Sequence, residues 1–297
     1  MVLDTETATM PFANDICRNT EEKKKIAIAK PLVYDIGWTI TDRMGNIEDE
    51  KQFLVAETFC VPSIFNTAYY AEKRPIYLEM LAKNETKILP WNDIMAIFIS
   101  DLHSVNAIGC FNSMFDLKKA LPFTDLYISK LYSPNYYKWE DMQKEFCKRI
   151  LSNSPKNNDK EFDQYHFRFR GESFDMFDIW GLATTHLLDR VAYKDNCLKY
   201  GQVTNSGIYF KTSAETAYQY LCNQYNFIES HTALDDAKIE TFILSKISSR
   251  HHVEMGIKYF PFRDLGYTDE YVLNRKNIKA EYCLTVLNAM QDYINSK

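Results

Sequence analysis

Met1-Val2-Leu3-Asp4-Thr5-Glu6-Thr7-Ala8-Thr9-Met10 is the stretch from which the rest of the chain is best read. Met1 to Thr5 is a short apolar run and predicts a strand. Asp4 and Glu6 stand at i and i+2, so on a strand both carboxylates project from one face. Two carboxylates held side by side repel unless a cation lies between them, and hard oxygen ligands suit Mg²⁺ or Mn²⁺. A solvated strand edge carries the same pattern without any metal, so the pair acquires meaning only from what joins it.

Outward from this stretch, Leu32 to Thr41 predicts a second strand through Val33, Ile36, Trp38 and Ile40. The turn Arg43-Met44-Gly45-Asn46 then leads to a third strand, Lys51 to Val55, so a three-strand meander opens the chain. Between the first two strands, Asn19 to Lys25 reads as a polar stretch. Helical spacing recurs over residues 76 to 104, interrupted by Pro90, and predicts two helices. Asn106 to Phe111 is a fourth short strand, after which Asp116 to Leu121 opens a helix. Residues 122 to 172, with Pro134, Pro155 and the run Lys156-Asn157-Asn158-Asp159-Lys160, read as an irregular insertion. Order returns at Ser173 to Thr185, Thr212 to Tyr225 and Ala233 to Ser248, the last carrying the stripe Ala237, Ile239, Ile243, Leu244 and Ile247. The expectation is an α/β chain: a β-meander, then alternating helices and strands, forming a mixed sheet flanked by helices.

Two further segments carry candidate chemistry. In Asn112-Ser113-Met114-Phe115-Asp116, a carboxylate sits where a strand gives way to a helix and can reach over the sheet end, where ligands bind in open α/β sheets. The plain alternative is a helix cap or a first-turn acid favoured by the dipole. In His231-Thr232-Ala233-Leu234-Asp235-Asp236-Ala237, an imidazole precedes a helix whose first turns hold two acids, either of which can be a simple cap. The spacing puts His231 and a carboxylate near one another.

Together and in this order, the three segments resemble the DEDDh exonucleases, also called the DnaQ-like family, whose pattern is DxExT, then N-x-x-F-D, then HxAxxDA. The likeness continues through Lys30 to Lys51 and through Asp175-Met176-Phe177-Asp178-Ile179-Trp180-Gly181-Leu182-Ala183, and gives out at 122 to 172, at 190 to 211 and after about 250. The resemblance implies an RNase H-like sheet and a 3′→5′ exonuclease releasing nucleoside 5′-monophosphates from nucleic acid 3′ ends; the expected substrate is DNA, single-stranded or frayed at its ends, favoured over RNA, with an RNA-directed exoribonuclease as the alternative. It implies that Asp4, Glu6, Asp116 and Asp236 hold two divalent ions, Mg²⁺ or Mn²⁺, and that His231 is the general base. Thr7, Ala8 and Thr9 match the stretch whose backbone contacts the terminal nucleotide, and Met10 matches a wedge between the last two bases. Asn112 and Phe115 complete the expected substrate contacts. Thr9 stands where a glycine is common. Tyr34-Asp35-Ile36-Gly37 could pass for a degenerate first motif, but the intact Asp4/Glu6 pair makes that reading unnecessary and leaves Asp35 an ordinary strand residue.

Composition sets the limits of this reading. The 297 residues, 46% hydrophobic with 20 Tyr and 19 Phe, suffice for a large core. A catalytic domain over 1–250 followed by a helical extension over 251–297 is the expected organisation, with an amphipathic helix through Tyr282, Leu284, Val286, Leu287, Met290 and Ile294. Seven cysteines without a CxxC pair argue against a disulfide framework or a zinc site and read as buried thiols of a reducing compartment. No apolar run approaches a membrane span, so a cytoplasmic protein is expected, and the Asn/Lys/Tyr-rich usage fits a phage-encoded one. The net charge of −5 is unusual for a nuclease and places the grip on phosphate in metal ions and local patches. One such patch is the insertion, where Tyr132, Tyr136, Tyr137, Lys138 and Trp139, and later Tyr165, Phe167, Arg168, Phe169 and Arg170, interleave rings with bases. Their alternative is simple packing. Beside catalysis stands a non-enzymatic reading, a 3′-end binding or partner-docking module.

Overall fold

The computed structural model describes residues 1–42, 44–152 and 163–248, together with Gly256. In chain order its strands are β1 Val2–Ala8, β2 Leu32–Thr41, β3 Ile47–Val55, β4 Lys87–Leu89, β5 Ile108–Cys110, β6 His166–Phe169 and β7 Glu172–Asp178. The longer helices are α1 Thr20–Ala29, α2 Arg74–Ala82, α3 Trp91–Leu102, α4 Leu121–Leu131, α5 Tyr136–Leu151, α6 Ile179–Leu188, α7 Val191–Lys199, α8 Ala214–Cys222 and α9 Ala233–Ser248. The strands form one mixed sheet in the order β4-β3-β2-β1-β5-β7-β6. The meander β1-β2-β3 is antiparallel, whereas β5 joins β1, β7 joins β5 and β4 joins β3 in parallel. The fold is α/β, as the alternation of patterns predicts.

β2 is the centre of the core, buried without interruption from Leu32 to Thr39. Alternation on β1 divides its side chains between two cores. Leu3 joins the larger cluster with Trp38, Trp91 and Phe98, and Val2 joins the second with Phe177, Ile239 and Ile243. Asp4 and Glu6 have the parity of Val2 and therefore face α9, whose inner stripe supplies Ile239 and Ile243.

The seat of α9 lies in the segment read as a degenerate motif. A Cβ on Gly37 would stand 2.3 Å from the Leu234 backbone nitrogen, so only glycine lets the start of α9 press onto the strand. Two residues earlier, Asp35 is fully buried and accepts hydrogen bonds from Ala233 N at 2.9 Å and from Gln52 Nε2. Asp35 is thus no ordinary strand residue. It meets one of the unpaired N–H groups at the start of α9 with a carboxylate that the helix dipole favours.

Where it is described, the insertion read as irregular carries regular elements; Pro155 and the run Lys156-Asn157-Asn158-Asp159-Lys160 lie outside the described residues. α4 and α5 fill 121 to 151, and β6 pairs with β7 in a hairpin turned at Arg170-Gly171 with φ of +49° and +88°. Along β6 the rings of Phe167 and Phe169 point into the core while Arg168 faces solvent. Arg170 is tied to Asp125 and Asn92. Phe167 and Phe169 therefore pack, whereas Tyr132, Tyr137 and Tyr165 are exposed. The hairpin tip lies seven residues of strand from Asp178, roughly 20 Å from the end of β7. The polar stretch at 19 to 25 begins α1, whose Asn19 side chain accepts from Glu22 N. Of the cysteines, Cys110, Cys147 and Cys197 are buried, but Cys60 is exposed and Cys17 and Cys222 are half-buried; these six are free thiols. No helix among the described residues is long and apolar enough to cross a membrane. The expected C-terminal helix, like Cys283, lies outside the described residues; Gly256 pairs beside Phe177, its N–H donating to Met176 O at 2.7 Å.

Candidate functional site

Three distant segments meet at a cleft of about 200 Å³ lined by Asp4, Thr5, Phe111, Asn112, Phe115, Asp116, Ala214, Glu229, Asp236 and Glu240. β1 brings Asp4. The end of β5 turns through a short helix, Ser113–Phe115, into a π-helical turn over Asp116–Ala120, and Asp116 opens that turn. Asn112 caps it, its side chain accepting from Phe115 N at 3.3 Å. Asp116 is thereby freed from the capping role and instead accepts a hydrogen bond from the Thr5 hydroxyl. α9 brings Asp236 and, one turn on, Glu240.

His231 precedes α9 with φ of +53°, a left-handed conformation that side-chain-bearing residues seldom adopt. This places its Nδ1 3.7 Å from an Asp236 oxygen and 3.7 Å from a Glu229 oxygen. The opposite ring nitrogen, Nε2, lies 3.2 Å from the Tyr70 hydroxyl, and the two rings stack with centroids 4.2 Å apart. Asp235 points away, accepting from the hydroxyls of Ser230 and Thr232. The choice between the two aspartates is therefore resolved: Asp235 supports the helix start, and Asp236 enters the cleft.

Among the described residues, the groups of potential ligand atoms that close around a single point are Glu6-His231-Asp236 and Glu215-Glu229-His231. The structure brings Glu6, His231 and Asp236 within ligand distance of one another, and sets Asp4 and Asp116 across the adjoining cleft.

The electrostatics are those of crowded, buried acids. Burial raises the Asp4 carboxyl well above the usual range, and the charges of Glu240, Asp116, Asp236 and Glu6 add to it. Glu6 is raised well above it by burial and by Asp236 and Asp35, against which Lys73 acts. Burial pushes Asp116 up to about 7, with the Thr5 hydroxyl opposing. Asp236 is raised by burial while His231 counteracts. Glu229 is pushed up to about 8 by burial and then by Asp236 and Glu215. A hard divalent cation fits this set. The donors are carboxylate oxygens, the cluster carries more acids than bases, and Asp236 Oδ1 is buried with no hydrogen-bond partner.

The substrate contacts expected of the 7–10 stretch fare unevenly. Thr7 is half-buried, but Ala8 and Thr9 are buried, and Thr9 N donates to Thr67 Oγ1 at 2.9 Å. Met10 is wholly buried in the main core and presents no surface to a base. Asn112 and Phe115, by contrast, line the cleft as expected.

Several site residues carry no motif. Glu240 is buried and accepts from Phe111 N at 3.0 Å. Lys73 donates to Ser230 O and lies 4.8 Å from the Tyr70 ring centroid. Asp178, at the end of β7 and within the Asp175 to Ala183 stretch that continues the likeness, does not line the cleft; burial pushes it to about 7. Only Glu240 left a readable sign, an acid at a core-stripe position of an amphipathic helix. Compared with models of protein families, with curated proteins and with solved structures, the chain matches none of them.

Proposed function

We propose that this chain is a divalent-metal-dependent 3′→5′ exonuclease of the DEDDh kind, built on an RNase H-like sheet and acting on DNA 3′ ends. What carries the reading is the convergence of Asp4, Asp116 and Asp236, from segments more than a hundred residues apart, on one cleft with His231 at its edge. The antiparallel meander extended by parallel β5 and β7 supports the sheet type. Asp4, Glu6, Asp116 and Asp236 would hold the ions, which when bound activate the attacking water and neutralise charge on the scissile phosphate.

The chain's own residues supply the rest. In the tautomer whose hydrogen is on Nε2, facing the Tyr70 hydroxyl, His231 Nδ1 offers a lone pair toward the Asp236 side of the site, where it can take a proton. Asn112 and Phe115, at the mouth, contact the terminal nucleotide. Lys73, a cation beside these acids, offsets part of their repulsion and attracts phosphate.

The test is product analysis on matched single-stranded DNA and RNA oligonucleotides in Mg²⁺ or Mn²⁺. Nucleoside 5′-monophosphates released from DNA, abolished by EDTA and by Asp4→Asn, are expected. Degradation of RNA alone would overturn the DNA assignment, and no hydrolysis of either strand would overturn the enzyme reading.

A further inference from the structure

We infer that Glu240 is a fifth carboxylate of the divalent-metal site, a ligand outside the three sequence motifs. The inference rests on the metal-dependent reading above and extends its ligand set.

Glu240 lies one helical turn after Asp236, and residues four apart on a helix share a face, with Cβ atoms about 5–6 Å apart. Both face the sheet from α9, and both line the cleft that holds Asp4 and Asp116. Asp236 is 8% exposed and Glu240 3%. Two like charges stacked one turn apart at this depth are costly unless a counter-charge lies between them. Among the described residues Glu240 forms no ion pair; its carboxylate is held by the Phe111 backbone N–H. Asp236 Oδ1, buried and without a hydrogen-bond partner, is a second and independent mark of an absent ligand in the same cleft. Glu240 thus lines the same cleft as Asp4, Asp116 and Asp236.

A purely structural role is the rival. Glu240 would then serve only to hold the loop at Phe111, and its charge would be incidental. Glu240→Gln separates the two, because glutamine keeps an acceptor oxygen for the Phe111 N–H and removes the charge.

The experiment is calorimetric titration of Mn²⁺ into the metal-stripped full chain, wild type and Glu240→Gln, with a thermal melt of each without metal. The expected result is an affinity at least about 10-fold weaker in the variant, or the loss of one bound equivalent, with an unchanged or higher metal-free Tm. Equal affinity and stoichiometry overturn the inference while leaving the metal site standing. A wild-type chain that takes up no Mn²⁺ overturns the inference and the metal-dependent reading with it. Should the variant fail to fold, anomalous diffraction from Mn²⁺-soaked wild-type crystals decides. An ion in direct, inner-sphere contact with a Glu240 oxygen is expected; ions held by the other carboxylates alone overturn it.

Discussion

Gly37→Ala is the sharpest perturbation of the scaffold beneath the site. The added Cβ would meet the Leu234 nitrogen at 2.3 Å and the Ala233 carbonyl carbon at 2.6 Å, about 1 Å inside the 3.4 Å at which ordinary contact begins. Both neighbours are backbone, so neither can rotate away. The start of α9 must lift by about that distance, weakening the Ala233 N–H to Asp35 bond and carrying His231 and Asp236 with it. Overpacking of this kind costs about 1 to 3 kcal/mol. In a chain of this size 2 kcal/mol lowers Tm by roughly 4 °C. A displacement of about 1 Å at a catalytic group costs on the order of 10²-fold in rate. Denaturant unfolding gives the first quantity, and turnover of a labelled strand under conditions where the variant stays folded gives the second. The diagnostic outcome is a small stability loss beside a large rate loss. A variant with wild-type stability and turnover would refute the seating of α9 on Gly37.

Three further outcomes are expected. Asp4→Asn replaces an acid whose ionised form burial and the neighbouring carboxylates disfavour, so its metal-free Tm should match or exceed wild type while turnover is lost; a large drop in metal-free Tm would contradict the crowding described here. His231→Ala should lower kcat by about 10² to 10⁴-fold with Mn²⁺ uptake retained, measured by titration, and the residual rate should rise with pH; loss of Mn²⁺ would make His231 a ligand instead. Burial raises Asp35 to about 6, Asp116 and Asp178 to about 7 and Glu229 to about 8. The metal-free native state therefore holds more protons than the unfolded chain. The stability these groups contribute is complete below about pH 4 and lost as pH rises through about 8. Melting in EDTA across that range should show Tm falling with pH, and a rising Tm would contradict the shifts.

How much of this was legible depended on whether the pattern of each segment was carried by apolar residues. β2, whose buried run is continuous, and α9, with its isoleucine stripe, have the ends their sequences predict. α5 did not announce itself, because its fully buried positions are Gln143 and Cys147, which carry little hydrophobic signal. Its Tyr and Trp instead suggested a stacking surface. α1 buries Ile26 alone and is marked chiefly by its Asn19 cap. At the site, Asp4, Asp116, His231 and Asp236 were legible because motifs fix their spacing. Glu229, Lys73 and Tyr70 are single residues that the fold brings in from segments with no pattern of their own. Met10 could not be placed from the sequence, since a wedge and a core residue look alike until the turn after β1 folds its side chain inward.

The proposed activity is tested most directly by following a 5′-labelled single-stranded DNA oligonucleotide through time in Mg²⁺, with Asp236→Asn as control. The proposal predicts a ladder that shortens one nucleotide at a time from the 3′ end, silent in EDTA and in the variant, with nucleoside 5′-monophosphates as products. Immediate release of the label as a mononucleotide, internal cuts, or the same ladder from Asp236→Asn would contradict it.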